Sequence, residues 1–231
     1  MITINNNMYV LDTDNTSYAF AVLGSGQLEH LYYGRKLHAN EAVMTEKHTF
    51  IPGNTNVYNK DYSSYSLEDV CLEMSSLGKG DIREPFIEVT YPNGSSTTDM
   101  VFDRAEIIKG KEEYDTLPGS YDDNGDVEQL VIYLKDRNYN LTLELHYYVY
   151  EKCDIITRSA KLVNSGNESV RLERLMSMQL DLNESDYELS FFNGAWAREM
   201  NRSRIPLRAG KYVNESVTGT SSNRANPFYM I

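Results

Sequence analysis

The sequence predicts an all-β protein with antiparallel strands, and three observations support this. The 231 residues include 18 tyrosines, and tyrosine favours the half-buried, pleated surface of a sheet. Apolar and polar residues alternate over long stretches, which is the period of a strand with one buried face. No segment keeps a helical period, and no unit of fixed length repeats.

The first clear element is a β-hairpin near the amino end. Tyr18, Phe20 and Val22 lie on one side of an alternating strand, and residues 24–26 then turn the chain into residues 28–33. The same Gly-Ser-Gly is reminiscent of a phosphate-binding loop. It lacks a third glycine, a following Gly-Lys-Ser/Thr and a helix, so the hairpin is the better interpretation.

Residues 40–80 interrupt this pattern with a long stretch that is polar and rich in tyrosine and asparagine. A stretch of this length without strands favours a functional loop that faces a partner and not the core. Near its end, Ser66 is positioned to cap a short helical turn over residues 67–69.

Strands resume at residues 87–91, where a Pro-Asn-Gly turn would close that strand against residues 97–108. A long antiparallel ribbon with one solvated face comes next. Its apolar face carries Leu130, Ile132, Leu134, Leu141, Leu143, Leu145, Tyr147 and Val149. His146 falls on the opposite face, where we expect it to be exposed. Residues 155–163 and 170–182 continue the same alternation.

Composition and charge exclude several classes of partner. With 41% hydrophobic and 24% charged residues, the chain has the composition of an ordinary globular protein. Its formal charge of −12 is spread along the sequence, so we expect no nucleic-acid partner and no membrane surface. Cys71 and Cys153 have no metal-ligand spacing, and we expect two buried thiols in a reducing compartment.

The two ends of the chain lead to further expectations. Met1 is followed directly by Ile2-Thr3-Ile4, without a basic segment and a long apolar run, which favours a cytoplasmic protein. Residues 226–231 enter an apolar, strand-like run that stops without a cap or a charged tail. We therefore expect a domain that is truncated at its carboxyl end.

Catalytic carboxylates cannot be singled out among the 34 acidic residues. A glycosidase needs two carboxyl groups facing each other across the scissile bond, whereas Glu112-Glu113 and Asp122-Asp123 lie in hydrophilic, solvated loops. Residues 122–126 also lack the alternate ligand spacing of a calcium loop. We expect no catalytic residue, no metal site and no cofactor in this chain.

Two functional classes stay open for this chain. One is a mutarotase-like sugar epimerase, in which His30 or His38 would act as the acid and Glu41 or Glu84 as the base. The other is a free-standing carbohydrate-binding module. Its candidate is Trp196, because an indole ring can stack on the C–H face of a sugar. The alternative, which the residue types favour, is that Trp196 is a core anchor beside a local ion pair between Arg198 and Glu199.

Several segments, in a fixed order, carry a family signature. They are residues 30–35 (HLYYGR), 80–85 (GDIREP), 117–121 (LPGSY), 155–159 (IITRS), 164–167 (NSGN), 192–199 (FNGAWARE) and 221–228 (SSNRANPF). Together they resemble the amino-terminal β-sandwich of bacterial α-galactosidases, or melibiases, in family 36 of the glycoside hydrolases. The resemblance covers essentially the whole chain.

This resemblance implies a fold and a role. The fold is an antiparallel β super-sandwich of the galactose-mutarotase type, here as one incomplete N-terminal domain over residues 1–231. In the family, a β/α barrel that is absent from this chain supplies an Asp nucleophile and an Asp acid/base. The resemblance therefore implies a non-catalytic domain of an enzyme that hydrolyses terminal α-galactosides such as melibiose and raffinose. Its partners would be the catalytic barrel and further copies in a homo-oligomer.

The resemblance also suggests residues at the substrate rim or at an interface. They are Trp196, Arg198, His48, Phe50, Asp81 and Arg83. In tetrameric members, a loop after the first hairpin reaches a neighbouring active site with a Leu-Asp-Arg element. Residues 44–50 of this chain (MTEKHTF) lack that element, so other residues would have to make the contact.

Overall fold

The computed structural model describes residues 1–38, 56–63, 66–114, 116–182, 186–218 and 224–231. The chain divides into two compact units, Met1–Asp181 and Leu182–Ile231. The fold class is confirmed as all-β, and every pair of named strands is antiparallel within the described residues. Whether residues 1–231 form one incomplete domain stays a prediction.

The described residues of the first unit form ten named strands in three sheets. They are β1 (Ile2–Asn5), β2 (Met8–Asp12), β3 (Thr16–Val22), β4 (Leu28–Arg35), β5 (Ile87–Thr90), β6 (Met100–Lys109), β7 (Glu128–Asp136), β8 (Leu141–Tyr150), β9 (Ile155–Asn164) and β10 (Arg171–Leu175). Strands β1 to β4 form one sheet in sequence order, and β6 to β9 form another. The third sheet pairs β5 with β10.

The main core is formed by side chains from all three sheets of this unit. Phe20 of β3 is fully buried, stacking on Tyr9 at 5.1 Å between ring centroids and on Tyr147 of β8 at 5.2 Å. Ile132 and Leu145 are direct cross-strand partners in the same core. Each such side chain stabilises the fold by about 1.5–3 kcal/mol through burial. The alternation of the ribbon thus predicted its buried face correctly.

The predicted hairpin is confirmed, but both of its faces are covered. Tyr18 and Phe20 point into the main core, as their period requires. Ala19 and Ala21, on the other face, pack in a second small cluster with Leu31. Small side chains on that face let this cluster close over the sheet.

The long ribbon differs from expectation on its second face. His146, predicted to be exposed, has only 4% of its surface accessible, and its neighbours Gln129 and Tyr148 are buried as well. The segment after β6 covers them: the Glu112 N–H donates to the Gln129 side chain at 3.0 Å, and the Tyr114 and Tyr148 hydroxyls lie 2.5 Å apart. A loop outside the ribbon thus removes this end of the face from solvent.

Strand β5 has a different partner from the one expected. Its turn is closed by the Tyr91 N–H, which donates to the Ser95 carbonyl at 2.9 Å. Beyond this bond the chain leaves β5, because the Thr98 N–H donates to the Leu77 carbonyl and the Asp99 N–H to the Asp136 carboxylate. The free side of β5 pairs with β10, which is shorter than the predicted strand over residues 170–182.

The predicted partner-facing loop is only partly described. Residues 39–55 and 64–65 lie outside the described residues. The helical turn over Leu67–Asp69 is present as a 3₁₀ turn, although the Ser66 side chain makes no capping bond. The described part of the segment around this turn belongs to the core and not to an excursion, since it forms a third buried cluster. That cluster consists of Tyr58, Leu67, Val70 and Leu72.

The second unit is a small sheet of three described strands. They are β11 (Glu188–Gly194), β12 (Asn201–Pro206) and β13 (Arg224–Met230). β11 lies between the other two. It pairs with β12 from Glu188↔Pro206 to Asn193↔Asn201, so residues 195–200 form the connection between the two strands.

Candidate functional site

The Glu73 carboxylate is a fully buried acidic group, with no accessible surface. The hydroxyl of Tyr18 donates to both of its oxygens at 2.6 and 2.8 Å, and that of Tyr147 donates to Oε2 at 2.8 Å. His30 Nδ1 lies 2.7 Å from Oε1, and a guanidinium nitrogen of Arg158 lies 3.1 Å from Oε2. These five residues, the Glu73 network, join β3 and β4 to β8 and β9.

The charges within the Glu73 network are balanced. Burial by itself would raise the pKa of Glu73, but the Arg158 charge and the bonds from His30 and Tyr18 hold that pKa below its ordinary value. Burial raises the pKa values of Tyr18 and Tyr147, so both phenols stay protonated as donors. The ionised carboxylate therefore has charge and hydrogen-bond partners on all sides, as a buried ion requires.

The mutarotase-like hypothesis gains no support from this arrangement. His30 contacts Glu73, which the hypothesis did not include, and Glu84 instead forms an ion pair with Arg174 at 2.6 Å. Glu41 lies outside the described residues. The Glu73 network was missed by the sequence analysis because Glu73 follows no strand pattern. It is best described as an internal tie between two sheets.

Asp81 and Arg83 of the GDIREP segment form a second internal tie. All five guanidinium N–H groups of Arg83 are used: Nε and Nη2 bond to Asp81, Nη1 to Asp181 and the Val70 carbonyl, and Nη2 to the Leu67 carbonyl. Asp81 is buried. A role of these two residues at a rim or an interface would have to act through this clamp, because its donors are already occupied.

The connection between β11 and β12 is the most exposed of the predicted sites. Trp196, on this turn, has 91% of its surface accessible, so the core-anchor interpretation is wrong. The turn is closed by two backbone bonds between Ala195 and Arg198, at 2.9 and 3.2 Å. Glu199 accepts a bond from the Ala197 N–H at 3.1 Å and forms no ion pair with Arg198 among the described contacts.

The backbone of this turn is constrained as well. Ala197 and Met200 have φ angles of 57° and 58°, a left-handed conformation that non-glycine residues seldom adopt. The Asn201 amide donates to the Arg198 carbonyl at 2.6 Å. The turn therefore presents a large indole to the surroundings from a backbone of fixed shape. Such an exposed aromatic side chain is typical of a binding surface.

The other predicted site residues cannot be placed. His48 and Phe50 lie outside the described residues, and so do residues 221–223 of the last family-like segment. Within the described ranges, no group of three or more His, Cys, Asp or Glu side chains has the geometry to hold a metal ion. No described helix is long and apolar enough to span a membrane.

Comparisons with known proteins identify the family. The sequence matches the family model described as the glycosyl hydrolase family 36 N-terminal domain over residues 26–231. The chain belongs to this family. It corresponds to the N-terminal domain of family 36 α-galactosidases, which include relatives and solved structures that match it along nearly its full length.

Among curated relatives, the α-galactosidase AgaA of Geobacillus stearothermophilus is 35% identical over 224 residues, which cover 94% of this chain and 30% of that protein. The bifunctional α-galactosidase/sucrose kinase AgaSK of Mediterraneibacter gnavus is 33% identical over 96% of this chain and 24% of its own length. The crystal structure of the α-galactosidase AgaB from G. stearothermophilus matches with a TM-score of 0.92 and 31% identity, covering 99% of this chain and 31% of that one.

The family 36 domain thus spans less than a third of the length of these relatives. The Arg83 clamp and the Trp196 turn both lie inside the matched range, which begins at residue 26. The first strands, β1 to β3, precede residue 26 and are nonetheless part of the same core.

Proposed function

We propose that this chain is the non-catalytic N-terminal domain of an α-galactosidase that hydrolyses terminal α-galactosides of the melibiose and raffinose type. In this proposal the turn of Trp196 lies at the rim of the substrate site. The observation that carries it is the 91% exposure of Trp196 on a fixed turn, in a domain of an α-galactosidase family. The catalytic carboxylates would lie in the part of the enzyme that this chain does not cover.

The chemistry of the turn supports a carbohydrate ligand. An indole offers a flat apolar face that can stack on the C–H side of a pyranose ring. Beside it, the Arg198 side chain makes no hydrogen bond to any described residue, so its donors can serve sugar hydroxyls. A backbone held by internal hydrogen bonds positions both groups without a large loss of entropy on binding.

The test replaces Trp196 by Ala and by Phe in the whole protein that carries this chain. Loss of a stacked ring costs about 0.5–1.5 kcal/mol, so W196A should raise KM for raffinose roughly twofold to tenfold. W196F keeps a stacking face and should recover most of the loss. Val217→Ala is the matched control, because Val217 is equally exposed in the same unit but lies outside the turn.

If W196A leaves KM unchanged, or if V217A changes KM by the same factor, the proposal that Trp196 lies at the rim is wrong. Titration of the chain alone with galactose, melibiose and raffinose separates this role from that of a free-standing carbohydrate-binding module. We expect no measurable binding by the chain alone, because a rim supplies only part of a site. Binding that W196A abolishes would favour the module instead.

His48 and Phe50 complete the proposed rim on sequence grounds. Their segment follows the first hairpin, where the family resemblance places a loop that reaches a neighbouring active site. Deleting residues 45–54 from the whole protein should lower activity or change the oligomer mass while the sandwich stays folded. Unchanged activity, substrate preference and mass would exclude this role.

We also propose a homo-oligomer in the cytoplasm. Cys71 is half-buried and Cys153 is exposed, so neither is the buried thiol that was expected. The two cysteines form no disulfide with each other, which is consistent with a reducing compartment. The exposed aromatic and apolar residues of the second unit are compatible with contacts between copies. Mass measurement of the whole protein in solution and cell fractionation test these two points.

A further inference from the structure

Three Asn-Gly dipeptides occur in the chain, at residues 93–94, 124–125 and 193–194. The asparagine of such a pair can lose its side-chain amide without an enzyme, a reaction called deamidation. It begins when the backbone nitrogen of the glycine attacks the side-chain carbon of the asparagine, and glycine has no Cβ to hinder this approach. The approach needs a backbone N–H that is not held in a hydrogen bond and an asparagine side chain that can rotate. The structure holds the three pairs very differently.

The Asn93 pair is locked in a turn. The Gly94 N–H donates to the Tyr91 carbonyl at 2.9 Å. The Asn93 side chain is held at both ends, since its oxygen accepts from the Ser95 N–H at 3.0 Å and its nitrogen donates to the Tyr139 hydroxyl at 3.1 Å. The Gly94 nitrogen can attack the Asn93 side chain only after these bonds open. The deamidation rate is therefore reduced to the small fraction of molecules in which they are open.

The Asn193 pair is locked in a sheet. Both residues belong to β11, which is paired on each side. Asn193 lies opposite Asn201 on β12 and Ala225 on β13, and Gly194 lies opposite Arg224. Extended pairing on both sides fixes the backbone dihedrals, so the reactive geometry requires part of the sheet to open.

The Asn124 pair is the exception. Both residues are exposed, and neither the Asn124 amide nor the Gly125 N–H makes a hydrogen bond with the described part of the chain. Space around Gly125 is open, with nothing within 4 Å of the position a Cβ would take. The described ties of this loop lie outside the Asn-Gly pair: the Ser120 and Tyr150 hydroxyls bond to each other, the Asp126 N–H donates to Asp122, and the Asp126 carboxylate binds Lys152 at 2.7 Å.

We propose that Asn124 is a site of spontaneous deamidation in this protein, and that Asn93 and Asn193 are protected by the fold. The Gly125 nitrogen loses its proton to hydroxide and attacks Cγ of Asn124. The new C–N bond closes a succinimide ring, and the side-chain nitrogen takes a proton from water and leaves as ammonia, which regenerates the hydroxide. Water then opens either carbonyl of the ring and gives aspartate or isoaspartate at residue 124.

The product changes an already acidic loop. A new carboxylate at residue 124 joins Asp122, Asp123 and Asp126, which increases local repulsion and competes for the Lys152 ammonium. The isoaspartate form also adds a methylene to the backbone between the two ends of the loop. Both products therefore weaken the ties that Asp126 makes in this segment.

The test follows the mass of the three Asn-Gly peptides after the folded protein has been kept at mildly alkaline pH. We expect the asparagine of the Asn124 peptide to convert to its acid form roughly tenfold faster than those of the other two peptides. In these two, the glycine N–H must first be released from its place in the turn or the sheet. N124Q is the control, since glutamine at this position closes the ring far more slowly. In urea all three peptides should convert at similar rates, because the protecting bonds are gone.

Two results would overturn the proposal. One is a folded protein in which the Asn93 or Asn193 peptide converts as fast as the Asn124 peptide. The other is an advantage of Asn124 that persists in urea, which would assign the selectivity to neighbouring residues and not to the fold. Separation of aspartate from isoaspartate peptides identifies the succinimide, since direct hydrolysis would give aspartate alone.

Discussion

Loss of the Glu73 carboxylate should lower the stability of the whole first unit. Replacing it with glutamine keeps the shape but leaves the buried Arg158 charge without its counter-ion. Breaking a buried pair in this way costs about 3–5 kcal/mol of the free energy of unfolding. Asp103→Asn is the control, because its pair with Lys135 is on the surface and is worth about 0–1 kcal/mol. Urea unfolding of both variants measures the difference, and equal losses would contradict the prediction.

The same carboxylate should contribute to acid sensitivity. Its pKa in the folded protein lies below the ordinary value of 4.5. A group of this kind contributes stability that is fully present above its unfolded pKa and is lost as the pH falls through the folded pKa. Below about pH 4.5, E73Q should therefore lose less stability per pH unit than the wild type.

His146 should act in a higher pH range. Burial lowers its pKa below the ordinary value of 6.5, so the folded protein holds this ring neutral while the unfolded chain takes up a proton. Unfolding then binds more protons, and stability falls as the pH drops from about 6.5 towards the folded pKa. His146→Gln should flatten the stability profile below about pH 6.5. An unchanged slope in H146Q would exclude His146 as the titrating group.

Among the elements, the β3–β4 hairpin depends on one glycine. Gly26 has a φ angle of 99°, and an added Cβ would come within 2.9 Å of Val101 Cβ on β6. Gly26→Ala should cost about 2–4 kcal/mol, from the left-handed backbone and from overpacking. Gly94→Ala tests the first contribution alone, at about 1 kcal/mol, because Gly94 has a φ of 81° and open space around it. Equal losses in urea unfolding would show that the Val101 contact is unimportant.

What the sequence could predict depended on whether a pattern was local. The alternation from Leu141 to Val149 predicted the core face of β8, because the face of each residue in a strand follows from its neighbours. The partner of β5 could not be predicted in this way, since it is set by bonds of Thr98 and Asp99 to distant residues. The same reason explains the error at His146, which a separate loop covers.

The candidate site follows the same division. Trp196 was singled out because an indole can stack on a sugar, but its exposure depends on where the β11–β12 connection lies. The Glu73 network gave no signal, because its members come from four strands and a loop. The GDIREP segment indicated the family. That every donor of Arg83 is used inside the domain is visible only in the structure, because its partners are distant in the sequence.

At the scale of the whole molecule, charge and exposed apolar surface act in opposite directions. The formal charge of −12 keeps copies of the chain apart at low ionic strength. Exposed apolar side chains favour association, and several of them lie on β13. Phe228, Tyr229 and Met230 have 41%, 51% and 45% of their surfaces accessible. Among the described strands, β13 has β11 as its sole neighbour. The Asn226 carbonyl of β13 accepts a bond from the Asn214 side chain at 2.8 Å, and the rest of the second edge faces no described strand and can pair with another chain.

The chain by itself should therefore self-associate, and more strongly as salt is added. Salt shortens the range of charge repulsion to about 10 Å at 0.1 M, while pairing at the β13 edge depends little on salt. Tyr229→Lys should weaken the association, because a charge on an edge strand opposes pairing with a second chain. Val217→Lys adds the same charge outside any strand and is the control. Light scattering over a range of concentration and salt measures the effect. A monomer under all conditions, or equal weakening by both variants, would exclude β13 as the site of contact.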